Sequence, residues 1–286
     1  MLVQLNELLQ DANAKGYAVG AFNCLSQENI EGAVRAAEEL RSPIILQLAE
    51  VQFPCAPMEL MAPMYLEAAR RASVPVAVHL DHGQSFETCA AAIKLGFGSV
   101  MFDGANLHFE ENVAVTSAVS RMAKAMGVDI EAELGKVGDV GIDDDKVDVF
   151  TDVEESAEFI ARTGVDALAV AIGNQHGRYV ANPKLNIARL IELHERNSMP
   201  LVLHGGSGTS EEDFKACIHN GICKINVATA IQVAIAEDVK RYAESVERYA
   251  ESVERADYIT MKGIMVEASQ RVVAEHIRLF ESNNRA

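Results

Sequence analysis

No apolar run in this sequence approaches the ~18 residues that a membrane-spanning helix needs, so a membrane partner is not expected. The first residues, MLVQLNE, carry neither the basic stretch nor the apolar stretch of a secretory signal, and a cytoplasmic location is the expectation. Cysteine is sparse and odd in number: Cys24, Cys55, Cys89, Cys217 and Cys223 form no CxxC pair, which points to reduced, partly buried thiols. None of them has a visible activating neighbour of the kind a thiolate nucleophile wants. Basic residues are in deficit, 25 Lys and Arg against 42 Asp and Glu, for a net charge of −17. A surface that acidic repels phosphate backbones and anionic lipid, which argues against nucleic acid and membrane surfaces as partners. A small anionic substrate is compatible, because a metal ion and backbone N–H groups can make one pocket locally positive.

What the sequence has is alternation. After an amphipathic opening segment (Leu5–Ala14), strand-like runs fall at Ala18–Phe22, Ile44–Leu48, Val76–Leu80, Ser99–Phe102, Ile130–Leu134, Ala167–Ile172, Leu201–His204 and Lys224–Val227. Helix-period segments lie between them, among them Gln27–Leu40, Met58–Ala72, Phe86–Leu95, Glu111–Met126, Val153–Thr163, Ile187–Glu195 and Glu211–Asn220, and Tyr258–Phe280 closes the chain. Strands that are apolar on both faces and separated by helices predict a parallel sheet. Eight such units predict an α/β fold closed as a (β/α)8 TIM barrel, taken as one domain over residues 1–286 with an N-terminal helix and a C-terminal helical extension. No GxGxxG follows the first strand, which weakens a dinucleotide-binding alternative. Two stretches break the rhythm. Gly135–Phe150 is too long for an ordinary connection and reads as a binding loop. Arg241–Glu247 (RYAESVE) is repeated as Arg248–Glu254, a heptad insertion that preserves the face of a surface helix.

In such a barrel the chemistry sits at the C-terminal ends of the strands. Three of the eight histidines lie at such ends beside a glycine: His82, His176 and His204. Three histidine ligands with an open position are a catalytic zinc arrangement. His79 reads as a hydrogen-bonded core residue within the third strand, His108 as a loop residue, and His194, His219 and His276 as helix-surface residues. Asp81 precedes a candidate ligand and is placed to act as a general acid. Asp103 ends the fourth strand; Glu131 and Glu133 end the fifth on one face, as outer partners of the ligands, a second metal site or a structural charge network. Gly205-Gly206-Ser207-Gly208 after the seventh strand, with Asn226-Val227-Ala228-Thr229 after the eighth, match the recurrent barrel phosphate site.

The stretches HLDHGQSFE (79–87), EAELG (131–135), LAVAIGNQHG (168–177), LHGGSG (203–208) and KINVAT (224–229) resemble the class II, metal-dependent ketose-bisphosphate aldolases, in the same order over nearly the whole chain. The resemblance implies that His82, His176 and His204 hold a catalytic Zn²⁺ and that Asp81 is the acid/base at the aldehyde oxygen. It implies that Asp103 and Glu133 form a second metal position. It also implies that Gly177, Gly205, Gly206, Ser207, Asn226, Val227, Ala228 and Thr229 contact dihydroxyacetone phosphate, with a monovalent cation (Na⁺ or K⁺) near Gly177. The substrate would be a ketose 1-phosphate or 1,6-bisphosphate, such as fructose- or tagatose-1,6-bisphosphate, and the assembly a homodimer or homotetramer. Cleaving a carbon–carbon bond beside a ketone needs a Lys Schiff base or a Lewis-acid metal, and the sixth strand carries no Lys.

The departures concern the aldehyde half. The family loop carries a Glu that takes a proton from the nucleophilic carbon; here no Glu lies between Leu134 and Val153, and Asp143 is the residue that would substitute. The second strand ends in Leu48-Ala49-Glu50-Val51 where small polar residues are usual, Ala105-Asn106 replaces the Ser-His after the fourth-strand Asp, and Ala256 beside Arg255 stands where an Arg for the distal phosphate is expected. Two alternatives stand beside the aldolase reading: a metal-dependent phosphosugar isomerase or epimerase on the same barrel, and a non-catalytic phosphosugar-binding protein.

Overall fold

The structure, a computed structural model, describes residues 1–139, 150–177, 184–248 and 257–286. The chain runs α1 (Leu5–Lys15), β1 (Val19–Asn23), α2 (Gln27–Leu40), β2 (Ile44–Ala49), a 3-10 turn (Glu50–Gln52), α3 (Met58–Arg71), β3 (Val76–Gly83), α4 (Phe86–Leu95), β4 (Ser99–Phe102) and α5 (Phe109–Ala125). It continues through β5 (Asp129–Leu134), β6 (Gly138–Asp139), α6 (Val153–Thr163), β7 (Ala167–Val170), β8 (Gln175–His176), α7 (Ile187–Arg196) and β9 (Leu201–Leu203). It ends in α8 (Glu211–His219), β10 (Ile222–Val227), α9 (Thr229–Arg248) and α10 (Tyr258–Leu279).

Eight strands close into a parallel barrel in the order β1-β10-β9-β7-β5-β4-β3-β2, the fold expected from the alternation. The local reasons are visible in the sequence. Ser26, Ser85, Asp152, Ser210 and Asp257 each accept a backbone N–H in the first turn of the helix that follows; such caps contribute about 1 kcal/mol each. Gly16, Gly96 and Gly164 end their helices in the left-handed conformation. Along β3 the side chains alternate. Val76, Val78 and Leu80 join the apolar layer beneath the helices, while Ala77 joins a second cluster inside the barrel. Leu5, Leu8, Leu9 and Ala12, at helical spacing on α1, close that inner cluster from the N-terminal end of the barrel.

Two features were not expected. A separate two-stranded parallel sheet joins β6 to β8, pairing Gly138 with Gln175 and Asp139 with His176. His276 is not a surface residue: it is 6% exposed, packed against the rings of Phe214 and Phe280, with Nδ1 donating to Val272 O at 2.8 Å. Its place one turn after Val272 puts it on the buried stripe of α10 despite its polar neighbours. Asp143 in the stretch expected to be a binding loop, the residues Arg255 and Ala256, and most of the second heptad lie outside the described residues; the first heptad is on α9. Among the described residues no helix is long and apolar enough to cross a membrane.

Candidate active site and metal centre

The polar residues that strand alternation turns inward gather toward the C-terminal end of the barrel. On β3, Asp81 is buried and His82 takes a left-handed backbone, φ 45°, a conformation that costs a non-glycine residue about 1–3 kcal/mol. The β3–β4 register shifts between Leu80 and Gly83. Gly83 is required there, because a Cβ would lie 2.7 Å from Met101 O. This bulge turns His82 toward the barrel axis.

His82 Nε2 and His204 Nδ1, from opposite sides of the barrel, face each other at 2.9 Å. Each ring is anchored from behind: His82 Nδ1 lies 2.8 Å from Asp103 Oδ2, and His204 Nε2 lies 3.1 Å from Glu131 Oε1. Asp81 Oδ1 is 3.9 Å from His82 Nε2, and Glu133 Oε2 is 3.4 Å from His204 Nδ1. Two groups therefore have ligand atoms close enough to share one cation: Asp81, His82 and His204, and His82, Asp103 and Glu133. Asn174 donates to His204 O at 3.1 Å and fixes that turn.

The electrostatics follow from crowding carboxylates around two imidazoles. Burial opposes charge on His82, but Asp81, Asp103 and Glu133 outweigh it and push its pKa up to about 10. Burial and the charge of Asp103 push Glu133 up to about 8. Asp81 feels burial upward first, yet His82, His204, Lys224 and the amide of Asn23 hold it below the usual carboxylate range. A pocket that binds a proton on imidazole so tightly is a well of negative potential. Its inward nitrogens and carboxylates, with outer partners already in place, fit a divalent cation of the zinc type.

Of the residues expected from sequence, Asp81, His82, His204, Asp103 and Glu133 are brought together. His176 follows on β8 with its backbone paired to β6; its side chain lies outside what the structure describes, as does Asp143. Gly177 has φ 102°. The two expected phosphate loops are stitched to each other, Gly206 N donating to Asn226 O at 3.0 Å and Ala230 N to Ser207 Oγ at 3.1 Å. Gly205 is left-handed at φ 71°, Thr229 opens α9, Ala228 precedes it, and the Val227 side chain is buried in the core. Asn226 does more than expected: its Nδ2 donates to Asp81 Oδ1 at 2.9 Å.

Asn23 was missed. It ends β1, donates from Nδ2 to Asp81 Oδ2 at 2.9 Å, and is itself held by Gln47 at 2.8 Å and Gln52 at 3.3 Å. A polar residue at the C-terminal end of an otherwise apolar strand was the available signal. His79 is the buried core residue expected, with Nδ1 2.9 Å from Ser99 Oγ.

The chain is similar to known proteins over most of its length. The family described as fructose-bisphosphate aldolase class-II matches residues 3–285. A probable fructose-bisphosphate aldolase of Bacillus subtilis (strain 168) is 42% identical over 250 residues, covering 84% of this chain and 85% of that protein. The D-tagatose-1,6-bisphosphate aldolase subunit GatY of Klebsiella oxytoca is 39% identical over 246 residues, covering 84% and 86%. The crystal structure of the YdjI aldolase from Escherichia coli K12 superposes with a TM-score of 0.89 at 35% identity, covering all of both chains. The chain belongs to the class-II fructose-bisphosphate aldolase family, and is an aldolase that breaks a carbon–carbon bond.

Proposed function

We propose that the protein reversibly cleaves a ketose 1-phosphate or 1,6-bisphosphate to dihydroxyacetone phosphate and an aldehyde, with Zn²⁺ as its divalent ion. The observation that carries this reading is the pair of inward nitrogens, His204 Nδ1 and His82 Nε2, 2.9 Å apart with a carboxylate behind each ring and Asp81 alongside. His82 and His204 would hold the ion, with His176 as the third ligand and Asp103 and Glu133 as a second position. When bound, the ion supplies Lewis-acid charge that lowers the cost of negative charge on the substrate's ketone oxygen.

The other parts are carried by the chain. Asp81, held by Asn23 and Asn226 on its two oxygens, takes the proton of the hydroxyl across the breaking bond, which becomes the aldehyde oxygen. The bonding pair moves to the ketone side, whose carbon then receives a proton; Asp143 is our candidate donor. Gly205, Gly206 and Ser207, with Ala228, Thr229 and the start of α9, receive the phosphate through backbone N–H groups, and Gly177 lies near a monovalent cation, Na⁺ or K⁺. Fixing the phosphate makes proton transfer intramolecular, which replaces the entropy of an encounter. The composition and the resemblance support a cytoplasmic homodimer or homotetramer.

The test is cleavage of fructose- and tagatose-1,6-bisphosphate and of ketose 1-phosphates before and after chelation. Activity is expected to vanish with the chelator, return with Zn²⁺, and leave nothing trapped by borohydride; chelator-insensitive cleavage overturns the reading. Condensing dihydroxyacetone phosphate with a panel of aldehydes identifies the second product, and a ketose phosphate converted without release of any aldehyde assigns an isomerase or epimerase instead.

A further inference from the structure

Deeper in the barrel than the histidine pair lies an ion pair that the reaction does not touch. Lys224 on β10 and Glu131 on β5 are both fully buried, and Lys224 Nζ stands 2.8 Å from Glu131 Oε2. Among the described residues no other carboxylate lies within ion-pair distance of that ammonium. The other oxygen of the same carboxylate, Oε1, is the one that faces His204 Nε2 at 3.1 Å. His79 Nε2 is 3.7 Å from Oε2. One carboxylate therefore divides its two oxygens between an ammonium and the back of a candidate ligand ring.

Stability does not account for the pair. Taking two charges out of water offsets most of their attraction, and apolar side chains of similar volume often pack as well or better. The contact is also close without being well aligned: neither Lys224 Nζ nor Glu131 Oε2 completes a hydrogen bond of good angle. His204, meanwhile, faces Glu131 at Nε2, 3.1 Å away, and both His82 Nε2 and Glu133 at Nδ1, 2.9 and 3.4 Å away. How firmly Glu131 is held at Nε2 therefore decides which side takes the one ring proton of a neutral imidazole. If the Nδ1 side took it, that nitrogen could not offer its lone pair to a cation.

We propose that Lys224 is a positioning residue for the metal centre: by pinning Glu131 behind His204 it keeps the ring proton on Nε2 and turns the Nδ1 lone pair toward the cation position. Lys224 acts through Glu131 and His204 and touches neither substrate nor ion. The inference rests on the metal-dependent reading above.

It is tested with Lys224→Met, Glu131→Gln and the double variant, by competing a chromophoric chelator for Zn²⁺ and by melting the metal-free proteins. Each single variant is expected to bind Zn²⁺ about 10–100-fold more weakly than the wild-type chain. The double variant removes both charges of the pair together, so its metal-free melting temperature is expected to return to the wild-type value or above, with affinity still reduced about 10–100-fold. A double variant with wild-type affinity makes the pair merely structural and overturns the proposal, whatever the single variants do. A wild-type chain that takes up no Zn²⁺ fails differently: it removes the metal-dependent reading itself.

Discussion

His204 Nδ1 and His82 Nε2 point at each other across 2.9 Å, and the far nitrogen of each ring rests on a carboxylate: Asp103 after the adjacent β4 for His82, Glu131 of β5, two strands away, for His204. Two imidazoles brought this close satisfy one another only by sharing a proton, and a cation at the same point satisfies both. The anchor on His82 is Asp103, whose carboxyl is pulled upward by burial but held below its ordinary range by the hydrogen bond from that ring. Asp103→Asn keeps the shape and removes the charge. Zn²⁺ affinity, measured by chelator competition, is expected to fall about 10–100-fold, with activity largely recovered at saturating Zn²⁺. Unchanged affinity would show that the anchor is dispensable.

Asp81 has both oxygens engaged by side-chain amides, Asn23 on one and Asn226 on the other. Asp81→Asn removes the proton acceptor, and kcat is expected to drop about 10²–10⁴-fold while Zn²⁺ still binds. Asn23→Ala leaves the carboxylate in place without one of its two donors. A smaller loss, of about tenfold in kcat, is expected from the freed rotation of Asp81. Steady-state kinetics on both variants, with zinc content measured, separates the two effects.

Gly83 and Gly263 make opposite predictions for the same substitution. At Gly83 a Cβ would meet Met101 O at 2.7 Å and Leu80 Cδ2 at 2.9 Å, and the carbonyl belongs to the paired strand β4. Gly83→Ala is expected to cost about 1–3 kcal/mol and to lower the melting temperature. At Gly263, inside α10, a Cβ meets nothing within 4 Å. Gly263→Ala is expected to gain about 0.5–1 kcal/mol by restricting the unfolded chain. Thermal unfolding of the two variants side by side checks the contrast.

His276 ties stability to pH. Burial lowers its pKa below the ordinary 6.5, against the backbone carbonyl of Val272 and the charge of Glu275, which act the other way. The unfolded chain therefore binds a proton there before the folded chain does. Its contribution is complete above about pH 6.5 and is lost as pH falls toward the lowered folded value. His276→Met, which keeps the apolar contacts with Phe214 and Phe280, is expected to flatten the fall in melting temperature between pH 7.5 and 5. Equal slopes for the two proteins would rule the histidine out as a source.

The legible part of the site was the part that follows from position along a strand. Asp81 and His82, His204, Asp103 and Glu133 all lie where an apolar run stops, and in a closed parallel sheet those stops share one end of the barrel. Asn23 obeys the same rule at the end of β1 and was missed because an amide carries no ionisable signal. His276 misled for the opposite reason: its neighbours Glu275 and Arg278 are polar, and only the packing of α10 reveals which face is covered.

By itself the sequence determined the eight strands, the helices between them, and the set of polar groups delivered to the C-terminal end. Each of these depends on spacing of two or 3.6 residues and on caps one turn away, which are local properties of the chain. The tertiary structure decided which groups meet: Asn226 of β10 with Asp81 of β3, Glu131 of β5 with His204 after β9, Lys224 with Glu131. It also decided the left-handed backbone of His82 that turns its ring inward. Those pairings depend on the register of strands closed into a ring, where residues as far apart as 81 and 226 become neighbours, and no local period in the sequence encodes that distance.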